Sequence, residues 1–388
     1  MSRLRFLTAG ESHGEALVGV IEGVPAGLAL DVAQLHHEAR RRKLGYGRGN
    51  RQNIETDEVR ILSGVRRGFT IGSPVTLMIE NRDHARWGEI MRVDAPADDE
   101  PAKRAVHVPR PGHADRIGGI KYAREDLRDV LERASARETA MRVALGTVAR
   151  LLLADLGVTL TSRVVRIGRA VDESPWNDAS VEDIDASPVR ALDPAAAEAM
   201  VREIDAARTA GDALGGVFEV VARGVPVALG SYAQWDRRLE AEVGRAFLSL
   251  NAIKGVEVGL GFGASALRGS EAHDVYEPGD GTRTRYRSNR AGGIEGGMTT
   301  GQPIVVRAAM KPIATLMTPL DSVDLRTGDA VPAHIERSDT CAVPAAAVIG
   351  ESLLALVLAA AVLEKFGGDA MDELRARVGA WKDTVRAR

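Results

Sequence analysis

Alternating apolar and polar positions predict strands at intervals along the whole chain. Two strands flank the turn AGESHGEA at 9–16, and a second, antiparallel pair is predicted from EVRILSGV and GSPVTLMIE. Further strands are predicted at GVTLTSRVVRIG, GGVFEVVARGVPVALG, GVEVGLGFG and PIVVRAAMKP. The 41 glycines exceed the usual share, so we expect many tight turns between these strands.

Apolar positions with a period of 3.6 predict the helices. One helix begins after Asp31, an N-cap residue type, and is expected to turn Val32, Leu35 and Ala39 inward. A single long helix is predicted over 123–154. Others are predicted over 194–210, LEAEVGRAFLSL, 344–365 and 369–386. The apolar run LLALVLAAAVL is much shorter than the ~20 residues that a membrane span needs, which favours a buried core helix and no membrane partner.

These elements alternate only loosely, which favours a mixed α+β fold over a regular doubly wound sheet. EGVPAGLAL at 22–30 resembles ARGVPVALG at 222–230, which indicates either two related halves or merely similar turns. No low-complexity or Ser-rich linker interrupts the chain, so we expect a single domain over 1–388. The stretch 81–119 has no sustained period and is more typical of a functional lid than of a spacer.

Composition narrows the class of protein. The formal net charge is -3, which lacks the basic excess of a general nucleic-acid binder. The single Cys341 excludes an intrachain disulfide and suits a reducing compartment, so we expect a cytoplasmic protein without an export signal. The histidines lack HExxH spacing and no calcium loop is present, so no metal site is expected.

The basic segment ARRRKLGYGRGNRQNIETDE at 39–58 suggests an anion partner. Cations are favoured at a helix C-terminus, so Arg40 and Arg41 are interpreted as helix-end charges. Glycines would let Arg42 and Arg48 converge on one small anion. An RNA-binding patch would require interleaved aromatic residues, and only Tyr46 is present.

Three short segments combine anion-binding and proton-transfer groups. GESHG at 10–14 places Ser12 and His13 in a glycine-flanked turn, and it also matches the Gly-x-Ser-x-Gly pattern of serine hydrolases, although it opens the chain rather than following a core strand. RPGHAD at 110–115 and ERSDTC at 336–341 each place an arginine beside a titratable side chain. Taken singly, either segment could be only an exposed salt bridge.

Together, in this order, eight segments resemble the chorismate synthase family from about Phe6 to Gly368. They are GESHG, RRRKLGYGRGNR, RPGHAD, ERASARETA, NAIKGVE, GGIEGGMTTGQP, AAMKPIAT and RSDTCAVPA. The resemblance implies a β-α-β sandwich of two internally related halves, assembled as a homotetramer. It also implies anti 1,4-elimination of phosphate from 5-enolpyruvylshikimate 3-phosphate to give chorismate, the last common step of the shikimate pathway to aromatic amino acids.

The resemblance implies a reduced FMN cofactor, with no net redox change, supplied through an external NADPH-dependent flavin reductase. It implies catalytic roles for His13 at the leaving phosphate, His113 near flavin N1 and Asp339 in deprotonation through flavin N5. The implied substrate-binding residues are Ser12, Arg42, Arg48, Arg110, Arg137 and Arg337. The implied cofactor-binding residues are Arg42, Arg48, Arg133, Ala134, Ser135, Asn251, Ala252, Gly296, Lys311, Pro312, Ile313, Ala314, Thr315 and Arg337. Arg42 and Arg48 also match a family NADP contact. A flavin oxidoreductase with net hydride transfer stays open, because flavin contacts alone would not distinguish it.

Overall fold

The computed structural model describes residues 4–49, 51–94, 102–176, 179–279 and 284–387. The strands are β1 Arg5–Ala9, β2 Ala16–Glu22, β3 Val59–Ser63, β4 Val65–Arg66, β5 Phe69–Thr70, β6 Val75–Glu80, β7 Thr159–Ile167, β8 Ala170–Val171, β9 Gly216–Arg223, β10 Ile253–Val258, β11 Tyr276–Pro278, β12 Thr284–Tyr286, β13 Ile294–Glu295, β14 Met298–Thr299, β15 Ile304–Met310, β16 Asp321–Val323 and β17 Ala330–Pro332. The helices are α1 Val32–Lys43, α2 Arg51–Ile54, α3 Asp115–Tyr122, α4 Arg128–Ala134, α5 Thr139–Asp155, α6 Val181–Ala186, α7 Pro194–Thr209, α8 Leu239–Leu248, α9 Gly269–Ala272, α10 Val343–Phe366 and α11 Met371–Arg386.

Two antiparallel sheets enclose a layer of helices. Within the described residues, the first sheet has the order β1-β2-β6-β3 and the second β10-β15-β9-β7-β8. Helices α1 and α5 pack against the first sheet, α8 and α10 pack against the second, and α5 packs against α10. The predicted mixed α+β fold and its β-α-β layering are therefore confirmed.

The two halves share one topology. The first half runs β1, β2, α1, β3, β6, α5, and the second runs β7, β9, α8, β10, β15, α10. In both sheets the first of these strands neighbours the second, the second neighbours the fourth, and the fourth neighbours the third. The prediction of internally related halves is confirmed by this repeated order.

The repeated Gly-Val-Pro segment has the same hydrogen bonding in both halves. Thr70 Oγ1 donates to the carbonyl oxygen of Pro25 at 2.6 Å and accepts from the amide of Leu28 at 2.9 Å. In the second half, Thr299 Oγ1 donates to Pro226 at 2.6 Å and accepts from Leu229 at 2.8 Å. Each threonine is buried, so it satisfies backbone groups that water cannot reach. The sequence similarity therefore reflects a repeated structural unit, not just similar turns.

Helix α10 is the central core helix. Its 24 residues are long and apolar enough to cross a membrane, but 83% of its most apolar 18-residue window is buried inside the protein. Most of its side chains on all faces are covered, because α5 packs on one side and β7, β9 and α8 on the other. The prediction of a buried core helix is confirmed.

One detail of the prediction for α1 is wrong. Leu35 and Ala39 are buried as predicted, but Val32 is 41% exposed.

The prediction of a single helix over 123–154 is also wrong, because the helix is interrupted at Ser135. Ser135 has φ −66° and ψ 143°, an extended conformation, and a 3-10 turn over Ala136–Glu138 follows before α5 begins. The Ser135 hydroxyl accepts a hydrogen bond from the amide of Arg137 at 3.2 Å, which caps the turn. The inward apolar stripe continues through the break, so periodicity does not reveal it. The break brings Ser135 and Arg137 to the wall of a cavity.

Candidate active site

A cavity of about 460 Å³ opens where the first turn of α10, the α4–α5 break and the segment after β15 meet. Ligand sites are typically ~300–1,000 Å³, so the volume suits small molecules. One part of the wall is apolar and consists largely of small side chains. The apolar wall comprises Leu131, Ala134, Leu250, Ile313, Ala314, Ala342, Ala345, Ala346 and Ile349. Among the described lining residues, six are arginine or lysine, namely Arg42, Arg48, Arg110, Arg137, Lys311 and Arg337, against three carboxylates, Glu55, Glu336 and Asp339.

The end of α1 supplies two of these cations. Arg42 donates from Nη2 to Asp57 Oδ2 at 2.6 Å, and its buried Nε has no hydrogen-bond partner among the described residues. Arg48 Nε lies 3.2 Å from Asp339 Oδ2, an ion pair without hydrogen-bond geometry. The amide of Gly49 donates to the other oxygen, Asp339 Oδ1, at 2.7 Å. Both arginines thus reach the cavity, and a buried donor of Arg42 is left for an anion.

Behind this wall, Asp57 holds two cavity arginines together. Besides Arg42 it accepts from Arg137, which also donates from Nε to Asn81 Oδ1 at 2.8 Å. Burial alone would raise the pKa of Asp57, but the guanidinium groups of Arg42 and Arg137 outweigh burial and hold that pKa well below its usual range. Asp57 is therefore ionised and fixes both side chains.

His13 is held by a buried carboxylate. Its Nδ1 lies 2.9 and 3.0 Å from the two oxygens of Glu132, and its backbone amide donates to the same carboxylate at 2.8 Å. Trp87 stacks on the imidazole, with ring centroids 3.9 Å apart. A carboxylate accepts only, so Nδ1 carries a hydrogen and Nε2 is the nitrogen that can exchange a proton.

His113 has the same kind of support. Its Nδ1 lies 2.5 Å from Asp115 Oδ1, and Arg110 donates to both oxygens of Asp115, from Nε at 2.8 Å and from Nη2 at 3.0 Å. Burial would raise the pKa of Asp115, but the hydrogen bonds from His113 and Arg110 hold it well below its usual range. Arg110 Nη1 reaches Thr315 Oγ1 at 2.9 Å, which ties this cluster to the segment after β15. In each histidine a buried carboxylate contacts Nδ1, and in His113 the Arg110 Nη2 also lies 2.9 Å from Nδ1 and 3.4 Å from Nε2.

The 311–315 segment and Asn251 complete the wall. Lys311 donates from Nζ to the carbonyl oxygen of Gly112 at 3.0 Å, and its pKa is lowered by burial and by the nearby Lys254. Asn251 donates to the carbonyl oxygen of Ala134 at 3.0 Å, while its buried Oδ1 has no partner among the described residues. The cavity therefore offers an unused acceptor as well as unused donors.

Comparison with known proteins identifies the family. The model of the chorismate synthase family matches residues 4–363. This chain belongs to the chorismate synthase family. It is 55% identical over 389 residues to the chorismate synthase of Desulforudis audaxviator (99% of this chain, 98% of that one), and 52% identical over 391 residues to that of Desulforamulus reducens (99% of both). A crystal structure of chorismate synthase superposes with a TM-score of 0.80 at 42% identity and covers 99% of both chains. The chain is accordingly a carbon–oxygen lyase of aromatic amino acid biosynthesis.

Most residues that the chorismate synthase resemblance singled out do line one cavity, although they come from distant parts of the chain. The members that line it are Ser12, His13, Arg42, Arg48, Arg110, His113, Ala134, Ser135, Arg137, Asn251, Ala252, Lys311, Ile313, Ala314, Thr315, Arg337 and Asp339. Arg133, Gly296 and Pro312 do not. The Arg133 guanidinium instead donates to the carbonyl oxygens of Thr8 and Gly10, each at 3.0 Å.

Sequence reasoning missed the carboxylates behind the wall. Glu132, Asp57 and Asp83 are all at most 3% exposed and hold His13, Arg42, Arg137 and Arg337. Glu132 is part of the quoted ERASARETA segment and Asp57 is part of the basic segment at 39–58, but neither was singled out as a partner of the site residues. The two aspartates lie in polar stretches that no periodicity separates from ordinary loops.

One further expectation is wrong, and two other segments can now be placed. Arg41 is not a helix-end charge: it is 2% exposed and pairs with Glu38, Asp185 and Glu351, whereas Arg40 is exposed as expected. The GESHG segment joins two antiparallel strands, β1 and β2, so it lacks the strand-to-helix elbow of serine hydrolases. In the stretch predicted as a lid, α3 forms and 110–114 contributes to the cavity wall, while 95–101 lie outside the described residues.

Proposed function

We propose that the cavity binds 5-enolpyruvylshikimate 3-phosphate together with reduced FMN, and that the chain eliminates phosphate from this substrate to give chorismate. The observation that carries this proposal is the pairing of two carboxylate-anchored histidines, His13 and His113, on an arginine-rich cavity wall. Elimination of a phosphate and a proton requires both anion binding and positioned proton-transfer groups.

The substrate's three anions suit the cationic wall. It carries one phosphate and two carboxylates, and planar guanidinium groups are the best partners for such oxygens. Arg42 and Arg48 each use one edge on a carboxylate of the protein, which holds the side chain in place and leaves other N–H groups for ligand. Arg337 pairs with Asp83, but its side chain is half exposed and can turn toward a bound anion. Ser12, Arg110 and Arg137 complete the proposed substrate set.

The residues present also fit FMN. The apolar side of the cavity accepts a flat ring, the unpartnered Asn251 Oδ1 would accept from a ring N–H, and Lys311 and the arginines would hold phosphate. Ala134, Ser135, Ala252 and Ile313–Thr315 are proposed as further contacts. When bound, reduced FMN supplies electron density that favours cleavage of the carbon–oxygen bond, without net oxidation of the substrate.

The chain's own groups would handle the protons. As the carbon–oxygen bond breaks, the phosphate leaves with the bonding electrons and His13 Nε2 supplies its proton. The anti 1,4 elimination is completed when the substrate ring loses its C6 proton. Asp339 is the residue proposed to assist this deprotonation. Gly49 and Arg48 hold both oxygens of Asp339, so the carboxylate is oriented for that role. His113 Nε2 would hold a proton beside the cofactor ring.

Assembly, location and cofactor supply are part of the proposal. A homotetramer is supported by an apolar strip on and beside the first sheet, where Leu7, Leu62, Phe69 and Ile71 are each at least half exposed. Such a patch is typical of interaction surfaces. We further propose a cytoplasmic enzyme that takes reduced FMN from a separate NADPH-dependent reductase. Light scattering tests the assembly by measuring its mass. The cofactor supply is tested by giving the protein its substrate, NADPH and FMN without a reductase, and no chorismate should form.

An anaerobic assay tests the reaction. The protein is mixed with chemically reduced FMN and 5-enolpyruvylshikimate 3-phosphate, and chorismate and free phosphate are measured. We expect both products in equal amounts, with the flavin still reduced at the end. Absence of product above a protein-free control would contradict the proposal. Oxidation of one flavin per turnover would instead indicate a flavin oxidoreductase.

A further inference from the structure

Asp83 lies between a substrate-binding arginine and a catalytic histidine. It is 1% exposed, and its Oδ2 pairs with Arg337 Nη2 while lying 3.9 Å from His13 Nε2. Its other oxygen, Oδ1, is buried and has no hydrogen-bond partner among the described residues. A buried carboxylate with an unused oxygen is costly unless its charge is compensated, and here Arg337 provides that compensation.

The two neighbours of Asp83, Arg337 and His13, differ in freedom of movement. The Arg337 side chain is 46% exposed and lines the cavity, so it can turn toward a bound anion. His13 cannot move in the same way, because Glu132 holds its Nδ1 and Trp87 covers one face of the ring. A rearrangement at Asp83 would therefore begin with Arg337.

Other charges near His13 are already paired. Glu132 also faces Arg128 at 3.5 Å, and Arg128 donates to Glu336 at 2.8 Å. His84 contacts only the backbone oxygen of His13, at 3.0 Å. Arg104 lies over Trp87, not over the imidazole. The Asp83–Arg337 pair is thus a contact beside His13 that an anionic ligand in the cavity can directly compete for, because Arg337 lines the cavity.

We propose that Asp83 is a positioning residue that couples substrate binding to His13: when a substrate anion takes Arg337, the carboxylate of Asp83 is released to His13 Nε2. The inference rests on the proposed function. Once Arg337 has turned away, Asp83 keeps a buried negative charge next to the imidazole of His13. In a low-dielectric site that charge favours a proton on His13 Nε2. The proton needed by the leaving phosphate is then held at His13 only after substrate has bound.

The coupling predicts an unusual kinetic separation for Asp83→Asn. The amide cannot hold Arg337 as an ion pair, so Arg337 is available to substrate and KM should not rise. The proton on His13 loses its support, so kcat should fall roughly tenfold, less than the ~10²-fold or more expected for loss of the histidine itself. Asp83→Glu, which keeps the charge, should recover most of kcat.

Asp155→Asn is the matched control, because Asp155 is paired with Arg375 away from the cavity and should leave both constants unchanged. A rise in KM with unchanged kcat would show that Asp83 merely shapes the binding site and would overturn the proposal. If Asp83→Asn does not fold, Asp83→Ser removes the same charge from a smaller side chain. A protein that makes no chorismate in any form contradicts the proposed function rather than the coupling.

Binding-linked proton uptake gives a readout that a structural role would not move. Substrate is titrated into the protein with oxidised FMN, which blocks turnover, in buffers of different ionisation enthalpy. We expect proton uptake per bound substrate to fall by at least half from the native protein to Asp83→Asn, with Asp155→Asn like the native protein. Equal uptake in native protein and Asp83→Asn would overturn the coupling even if both bind substrate.

Discussion

Two consecutive arginines on the last turn of α1 face two different regions of the molecule. Arg41 enters a buried ion cluster between α1, α5, α6 and α10, which contains three arginines, Arg41, Arg150 and Arg190, and three carboxylates, Glu38, Asp185 and Glu351. Arg42 faces the candidate active site. Both residues are at most 4% exposed, so burial does not distinguish them.

Hydrogen-bond saturation does distinguish Arg41 from Arg42. All three nitrogens of the Arg41 guanidinium donate to carboxylates, at 2.6 Å to Asp185 and at 2.7 and 3.0 Å to Glu351. Arg42 has one such bond and a buried Nε without a partner in the described structure. The hydrogen bonding of Arg41 is met within the fold, whereas Arg42 keeps a buried donor at the cavity that a ligand can use. The ion cluster is not saturated throughout, because the buried Nε of Arg190 also has no partner in the described structure. Substitutions should therefore affect stability in the first region and turnover in the second.

Glu351→Gln should have the largest effect. Glu351 is completely buried, and burial would raise its pKa, but Arg41 and Arg150 outweigh burial and keep it ionised. Removing its charge leaves buried arginines uncompensated, which typically costs about 3–5 kcal/mol. Urea unfolding should show this loss, while kcat per folded protein stays within about twofold. Loss of kcat without loss of stability would mean that the cluster belongs to the active site.

His13→Ala and His113→Ala should have the opposite effect to Glu351→Gln: they should lower kcat and change stability little. Each removes a proposed proton-transfer group, so kcat should fall by ~10²-fold or more, and Asp339→Ala should behave alike. The free energy of unfolding should change far less than for Glu351→Gln. Anaerobic turnover and urea unfolding on the same preparations measure both quantities. Near-normal turnover in any one variant would remove that residue from the proposed mechanism.

The sequence predicts the periodic parts of both regions and misses their charge pairing. The related halves follow from the repeated Gly-Val-Pro segment and the family resemblance, whereas the strands, α1 and α10 follow from apolar spacing, which records which faces are buried. The break at Ser135 does not follow from it, because the apolar stripe continues across the break. The side-chain hydrogen bonds that mark it, from the Arg137 amide and from Ser12 Oγ to Ser135 Oγ, leave no trace in the spacing. The burial of Arg41 depends on carboxylates up to 310 residues away in the sequence. The sequence gives the same residue type at Arg40, Arg41 and Arg42, and only their tertiary contacts show that their roles differ.

Arg42→Gln and Arg40→Gln test that separation directly. Arg42 is expected to bind a substrate anion, and a hydrogen bond to a charged group contributes roughly 1.5–3 kcal/mol. KM should therefore rise by about 10- to 100-fold for Arg42→Gln. Arg40 is exposed on the same helix turn, so its variant is the matched control and should have unchanged KM. Equal effects would favour a diffuse electrostatic role over a specific contact.

The pair Arg237–Glu364 should show the smallest effect and isolates the role of burial. Glu364 lies on α10, as Glu351 does, and accepts two hydrogen bonds from Arg237, at 2.7 and 3.1 Å. Its geometry is as good as that of the buried cluster, but the two side chains are 55% and 51% exposed. Exposed pairs typically contribute about 0.2–1 kcal/mol, because water and salt screen them.

A double-mutant cycle with Arg237→Ala and Glu364→Ala measures the coupling through urea unfolding. We expect a value in that range, and a smaller one at high salt. A coupling of several kcal/mol would contradict the view that desolvation, and not the number of hydrogen bonds, makes the Glu351 cluster sensitive. It would then follow that the same helix tolerates no loss of charge anywhere along its length, and that the contrast between Arg41 and Arg42 needs another explanation.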